Sequence, residues 1–299
     1  MRKPTGGDLW ALVVGGVIPA GRRVGSARRR PVDSGKRRGR DGALAATVSR
    51  LLPLAGPART AVAVLDAAPS SDAELARLPV RNVFVARPGA AQPLSEWSAL
   101  LRIHALDRSA RVAMLPADGR FADDEALRAH LRMAGWVVRR HPNLVVMLGV
   151  RPRHPAAGCR YVDLGAPAPD CAFAPVFTVR GYCEPSGDEA ARYFAARGAL
   201  CAPPVVVARV ARLLELMEDI ASEEADRWAH SVERARAQGV GFRSVLDVSV
   251  ARLVLERARK QVVVLRADGL EWREGAARSS VRTSTRTPAA PWHLPRATA

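Results

Sequence analysis

Lysine is almost missing from this chain. Only Lys3, Lys36 and Lys260 stand among 46 basic residues, so arginine carries the formal charge of +17. Arginine and alanine are abundant from end to end, as in a GC-rich coding sequence. The charge total therefore does not by itself select nucleic acid as partner. Aromatic residues make up only 5% of the chain. None is interleaved in the densest basic run, Arg22 to Arg40, which offers no base-stacking platform and reads as a solvated or phosphate-facing loop. No apolar run reaches membrane-spanning length, and no membrane partner is expected. Leu9 to Ala20 follows the basic Met1-Arg2-Lys3, but Asp8 interrupts its start and no small-x-small cleavage site follows, so a cytoplasmic location is expected. Cys159, Cys171, Cys183 and Cys201 form no C-x-x-C pair and have no histidine at finger spacing. Zinc and redox motifs are thereby excluded, and free buried thiols are expected. There is no P-loop G-K-S/T and no Ser-His-Asp order with an oxyanion loop.

What is present is an apolar framework, 48% of the residues. Leu9 to Val14 reads as a first strand ending at Gly15-Gly16, followed by a basic loop to about Arg40. Helical spacing of Leu44, Val48, Leu51 and Leu52 marks Gly42 to Leu54. Strands are expected at Thr60–Leu65, Asn82–Ala86, Arg111–Leu115 and Leu144–Val150, with helices at Ser71–Leu78, Leu94–Leu106 and Asp123–Arg140. Arg151 to Pro175 breaks into Pro- and Gly-rich turns around Arg160-Tyr161-Val162. Beyond it lie strands at Ala174–Val179, Val205–Val207 and Gln261–Leu265, and helices at Asp188–Arg197, Arg209–Met217, Glu223–Ala237 and Ser244–Arg259. This alternation predicts an α/β fold with a doubly wound, mostly parallel sheet over residues 1–275. A disordered, basic tail rich in Ser, Thr, Arg and Pro is expected over 276–299.

The run Arg111 to Gly119 is the centre of this pattern. Val112 to Leu115 suits a strand buried on both faces, Pro116 ends it, and Asp118 falls just past its carboxyl end, where open α/β sheets bind ligands. A carboxylate there can hold a metal ion and, through it, a phosphate. Equally, Asp118 can cap the helix that Phe121, Ala122 and Asp123 lead into. Asp123-Asp124-Glu125 reads as the acidic first turn of that helix. His104 is expected as a satisfied core or boundary residue, His141 and His154 as exposed, Trp10 and Trp136 as core.

With these residues in view, the chain resembles the mannose-1-phosphate guanylyltransferases of the sugar-nucleotide pyrophosphorylase group, over most of residues 9 to 275. Leu115-Pro116-Ala117-Asp118 is similar to the family's P-A-D-H, with Gly119 in place of His. Leu148 to Val162 is similar to its G-I-x-P-x-x-P-x-T-G-Y-G-Y-I run, which contains Gly158. Val179 to Glu184 resembles V-x-x-F-x-E-K-P, and Gly39 to Leu54 resembles G-x-R-S-L-L-Q-x-T-x-x-R-L. The resemblance implies a GT-A-like fold and attack of a sugar 1-phosphate on the α-phosphorus of a nucleoside triphosphate, here mannose 1-phosphate and GTP. It implies Mg²⁺ held by Asp118 and by Glu274, the counterpart of a late carboxylate in the family's G-W-x-D-x-G. Gly158 and Glu184 fall in the sugar-binding segments. Glu184 can contact a sugar hydroxyl or pair with Arg180. Self-association into a homo-oligomer is left open.

The chain departs from the family where polar contacts are made. The family's G-G-x-G-x-R loop cradles the triphosphate; here it is Gly15-Gly16-Val17-Ile18-Pro19-Ala20-Gly21-Arg22, with bulky residues and a proline that removes a donor. Gly15, Gly16 and Gly21 are the candidate nucleotide-binding glycines and Arg22 the candidate catalytic cation. Val32 falls on the family's phosphate-binding lysine, leaving Lys36 or one of Arg28 to Arg30 to reach in. Gly89, Ala90 and Ala91 replace the base-contacting R-N-T, and Ala202-Pro203 replaces the W-N pair of the sugar site. Burial holds a fold while sites are grafted on it separately. A degenerate, non-catalytic member of the same fold is therefore the alternative expectation.

Overall fold

The computed structural model describes residues 9–17, 35–65, 77–86, 92–156, 159–219, 250 and 259–273. A ten-stranded sheet forms the middle layer. Its strands are β1 (Leu9–Val17), β2 (Thr60–Leu65), β3 (Val83–Ala86), β4 (Arg111–Pro116), β6 (Val145–Gly149), β7 (Tyr161–Pro167), β8 (Val176–Cys183), β9 (Leu200–Cys201), β10 (Val206–Arg209) and β11 (Val262–Arg266). Their order is β3-β2-β1-β4-β10-β6-β11-β8-β7-β9. A separate two-stranded sheet pairs β5 (Arg120–Phe121) with β12 (Trp272–Arg273).

β1, β2, β3 and β4 pair in parallel. β10 runs antiparallel to both β4 and β6, so β4 and β6 point the same way, and β11 is parallel to β6. The carboxyl ends of β1, β2, β3, β4, β6 and β11 thus share one edge of the sheet. The antiparallel pairings gather around β8, β7 and β9 at one side.

Alternation along the strands feeds two cores. Leu9, Ala11 and Val13 of β1 join Val48, Leu51, Leu127 and Leu131 on one face, from α1 (Gly35–Ala55) and α3 (Asp124–Arg140). Trp10, Leu12 and Val14 join Leu100, Ile103 and Leu213 on the other, from α2 (Gln92–Leu106) and a helix over 210–219. Side chains alternate across a strand, so the buried stretches of β1, β2 and β4 are apolar on both sides where helices cover both faces. Each such side chain fully removed from water contributes about 1.5–3 kcal/mol. The doubly wound α/β arrangement is the one expected.

Local differences have local causes. β7 was expected as turns; Asp163, Gly165 and Pro167 break its apolar pattern, yet its start is held between β8 and β9. β5, β9 and β12 have two residues each, too few for any periodic signal. The helices expected at Ser71–Leu78 and Glu223–Ala237 lie largely or wholly outside the described residues, as do the tail from Ala276 and most of Ser244–Arg259. Trp10 is core, whereas Trp136 is half-buried edge-on to Phe173, with ring centroids 3.9 Å apart. Among the described residues His104 is only half satisfied: its Nε2 lies 3.5 Å from Arg108 Nη1, while its Nδ1 is buried without a hydrogen-bond partner. His141 is half-buried rather than exposed, stacked on Phe173 and 3.2 Å from the Asp170 carbonyl oxygen. Among the described residues no helix is long and apolar enough to cross a membrane.

Candidate functional site

From β1 the chain winds to β2 and β3 on one side, then crosses back to β4 on the other. This reversal makes the carboxyl ends of β1 and β4 a topological switch point, the kind of place where doubly wound sheets hold ligands. Gly15, with φ of 78°, ends the regular pairing of β1 in a backbone region that favours glycine. Beside it, the Ala117 N–H donates to the Val14 carbonyl at 2.9 Å, continuing the ladder one step past Pro116.

The turn that follows is pinned from α1. Thr47, 2% exposed, donates its hydroxyl to the Ala117 carbonyl at 3.0 Å. Arg50 donates Nη1 to the Gly119 carbonyl at 3.1 Å and pairs through Nε with Asp124 at 2.5 Å. Arg128 of α3 in turn donates to the Arg50 carbonyl at 3.0 Å. Asp118 lies between these two anchored carbonyls, half-buried, and among the described residues no hydrogen bond or ion pair engages its carboxylate. The capping alternative is settled by geometry. Asp123 caps α3, accepting from the Glu125 and Ala126 amides at 2.8 and 2.9 Å. The neighbouring acids are occupied as a helix start, Asp124 by Arg50 and Glu125 by Arg128 and Arg132, whose guanidinium groups hold the Glu125 carboxyl below its usual range.

The late segment is brought to this turn. Trp272 pairs with Phe121 and Arg273 with Arg120, and the Ala122 N–H donates to the Glu271 carbonyl at 3.2 Å. The chain is thus delivered beside Asp118 one residue before Glu274, which itself lies outside the described residues. So do Gly21, Arg22, Val32 and Gly158. Gly16 lies in β1 and Lys36 in α1, but their side-chain surroundings are outside the described part.

Beyond β12 opens a cavity of about 410 Å³, lined by the loop after β6 (Arg151, Arg153, His154), by Tyr161 of β7 and by Glu271 and Trp272. Arg153 Nη2 lies 2.6 Å from Glu271 Oε1. Cys159 and Cys201 complete the wall and are joined as a disulfide, Cα to Cα 6.4 Å. This corrects the expectation of four free thiols. Tyr161 pairs with Cys201 across β7 and β9, bringing two cysteines 42 residues apart within the span a disulfide needs. Cys171 and Cys183 remain free, and burial, then Asp163 and Glu184, pushes the Cys183 thiol up to about 11.

Glu184 does not pair with Arg180. It forms an ion pair with Arg160, while Arg180 reaches Asp163 at 3.5 Å. The cause is register: Tyr161 lies opposite Cys183, setting Arg160 beside Glu184. The sequence reading passed over Thr47 and Arg50 as functional residues, although both fall on the T-x-x-R-L of the segment it compared. Arg151 and Arg153 carry no signal in the sequence beyond their place in the Leu148 to Val162 run, and His154 reads there only as exposed. Among the described residues no group of three or more His, Cys, Asp or Glu side chains could hold a metal.

No protein-family model and no curated protein matches the chain. Solved structures do. A structure described as mannose-1-phosphate geranyltransferase from Thermus thermophilus overlays with a TM-score of 0.58 at 22% identity, covering 89% of this chain and 76% of that one. One described as mannose-6-phosphate isomerase from Helicobacter pylori overlays at 0.54 and 14% identity, covering 89% of this chain and all of that one. At such identities the likeness is one of fold, and the fold is the one the resemblance implied.

Proposed function

We propose that the chain is a nucleotidyltransferase acting on a sugar 1-phosphate, with GTP and mannose 1-phosphate as the substrates to test first. The observation that carries this reading is Asp118: a half-buried carboxylate with no engaged partner among the described residues, held by two anchored carbonyls at the switch point of the sheet. In-line attack on an α-phosphorus needs positioning and neutralised charge rather than a covalent nucleophile. A single oxygen donor of this kind fits a small hard cation that keeps most of its waters and shares substrate phosphates. Asp118 would hold Mg²⁺, with Glu274 the candidate second ligand, and the ion when bound supplies charge neutralisation at the phosphate oxygens. Thr47 and Arg50 keep the Asp118 turn from relaxing. The description of the Thermus protein, which shares the fold, agrees with a mannose 1-phosphate substrate.

The second reading, a non-catalytic relative, is favoured by Ala202-Pro203. Ala202 is 4% exposed, and neither residue offers a side-chain polar group where the family has W-N. Pyrophosphorolysis of GDP-mannose with Mg²⁺ separates the two. Turnover by the wild type that falls at least about a hundredfold in Asp118→Ala, with folding intact, supports catalysis. No turnover by a folded wild type, across the four common bases and several sugars, establishes the non-catalytic reading.

A further inference from the structure

The cavity beside β12 has a lopsided chemistry. Sugar hydroxyls both donate and accept, so a site for a neutral sugar needs acceptors as well as donors. Here the lining side chains are donors: Arg151, Arg153 and His154. The one carboxylate among the described lining residues, Glu271, already has an oxygen at 2.6 Å from Arg153. The Tyr161 hydroxyl is engaged with the backbone of Ala156. Arg151 and His154 are exposed, line the cavity and meet no acidic partner among the described residues. Among the described residues two guanidinium groups stand against one carboxylate, a net positive wall, and apolar walls concentrate such a field. A volume of about 410 Å³ lies in the range of small-ligand sites and admits a monosaccharide with charged substituents.

We infer that this cavity receives a second anionic group on the sugar 1-phosphate, a phosphate ester or a carboxylate, and that Arg151 is its main contact. The inference rests on the transferase reading for the identity of the sugar 1-phosphate, but not for the anion site itself. Guanidinium groups suit both anions, since the planar fork matches paired oxygens.

The test is calorimetric titration of the full chain at fixed ionic strength with mannose 1-phosphate, mannose 1,6-bisphosphate and mannuronic acid 1-phosphate. Wild type, Arg151→Ala and Arg102→Ala are compared. Arg102 is exposed on α2, away from the cavity, and its replacement removes the same charge. At least one doubly anionic sugar should bind about tenfold or more tighter than mannose 1-phosphate, and the better of the two identifies phosphate or carboxylate. That preference should vanish in Arg151→Ala and persist in Arg102→Ala. Equal affinities in the wild type, a preference untouched by Arg151→Ala, or an equal loss in Arg102→Ala would each overturn the inference. A parallel pyrophosphate-release assay keeps the two readings apart. Turnover without a preference retains the transferase and discards the anion site; an Arg151-dependent preference without turnover does the reverse.

Discussion

Replacing Thr47 by valine keeps the shape of the side chain and removes one hydroxyl. In the structure that hydroxyl donates at 3.0 Å to the Ala117 carbonyl, and Thr47 is 2% exposed, so water cannot take its place. A buried carbonyl left without its donor costs about 1–3 kcal/mol. For a chain of this size, with a urea dependence near about 3 kcal/mol per molar, the unfolding midpoint should fall by about 0.3–1 M. Stability alone would not show that the bond serves the site, because Thr47→Ser also loses a methyl group, worth about 1 kcal/mol. If Asp118 holds Mg²⁺ as proposed, the two variants should part in the Mg²⁺ dependence of turnover. Valine frees one of the two carbonyls flanking Asp118, so the half-saturating Mg²⁺ concentration should rise severalfold; serine keeps the donor and should leave it within about twofold. A valine variant with the wild-type midpoint and the wild-type Mg²⁺ requirement would refute the idea that α1 sets this turn.

Thiol titration under denaturing, non-reducing conditions should find two reactive cysteines per chain and four after reduction, because only Cys171 and Cys183 are free; four before reduction would remove the Cys159–Cys201 bond. In Cys159→Ser the oxidised protein should lose about 2–4 kcal/mol of stability, read as a lower unfolding midpoint. The raised Cys183 thiol means the folded state holds its proton more tightly than the unfolded chain. Its contribution to stability is complete below the unfolded value and is lost as pH climbs towards about 11, so Cys183→Ser should flatten the alkaline fall of the melting temperature. In Gly149→Ala a Cβ would lie 2.6 Å from Val264 Cγ1 and 2.7 Å from Leu200 Cδ1, both buried, and a loss of about 1–3 kcal/mol is expected on urea unfolding.

Much of the fold was legible because the strands that build its centre are covered on both faces. Leu9 to Val14, Ala61 to Leu65 and Val112 to Leu115 are apolar without interruption, and such runs, the first and last stopped by Gly15 and Pro116, can be read directly. The placement of Asp118 followed, since Pro116 stops the strand. Features made by distant pairing left no local trace. Arg160 meets Glu184, and Cys159 meets Cys201, through the register of β7 with β8 and β9, while β7 itself is interrupted by Gly165 and Pro167. Thr47 and Arg50 looked like ordinary helix residues until α1 was laid against the end of β4.

β10 is wedged antiparallel between β4 and β6, which do not touch each other as neighbours. During translation, β4 must therefore wait for its partner. Arg209, the end of β10, comes 93 positions after Pro116, the end of β4, and a ribosome adding about 5–20 residues per second needs about 5–20 s to reach it. Throughout that interval the nascent β1–β4 unit carries an open strand edge along β4, a natural stop for chaperones and a point at which premature termination would yield a sticky half-sheet.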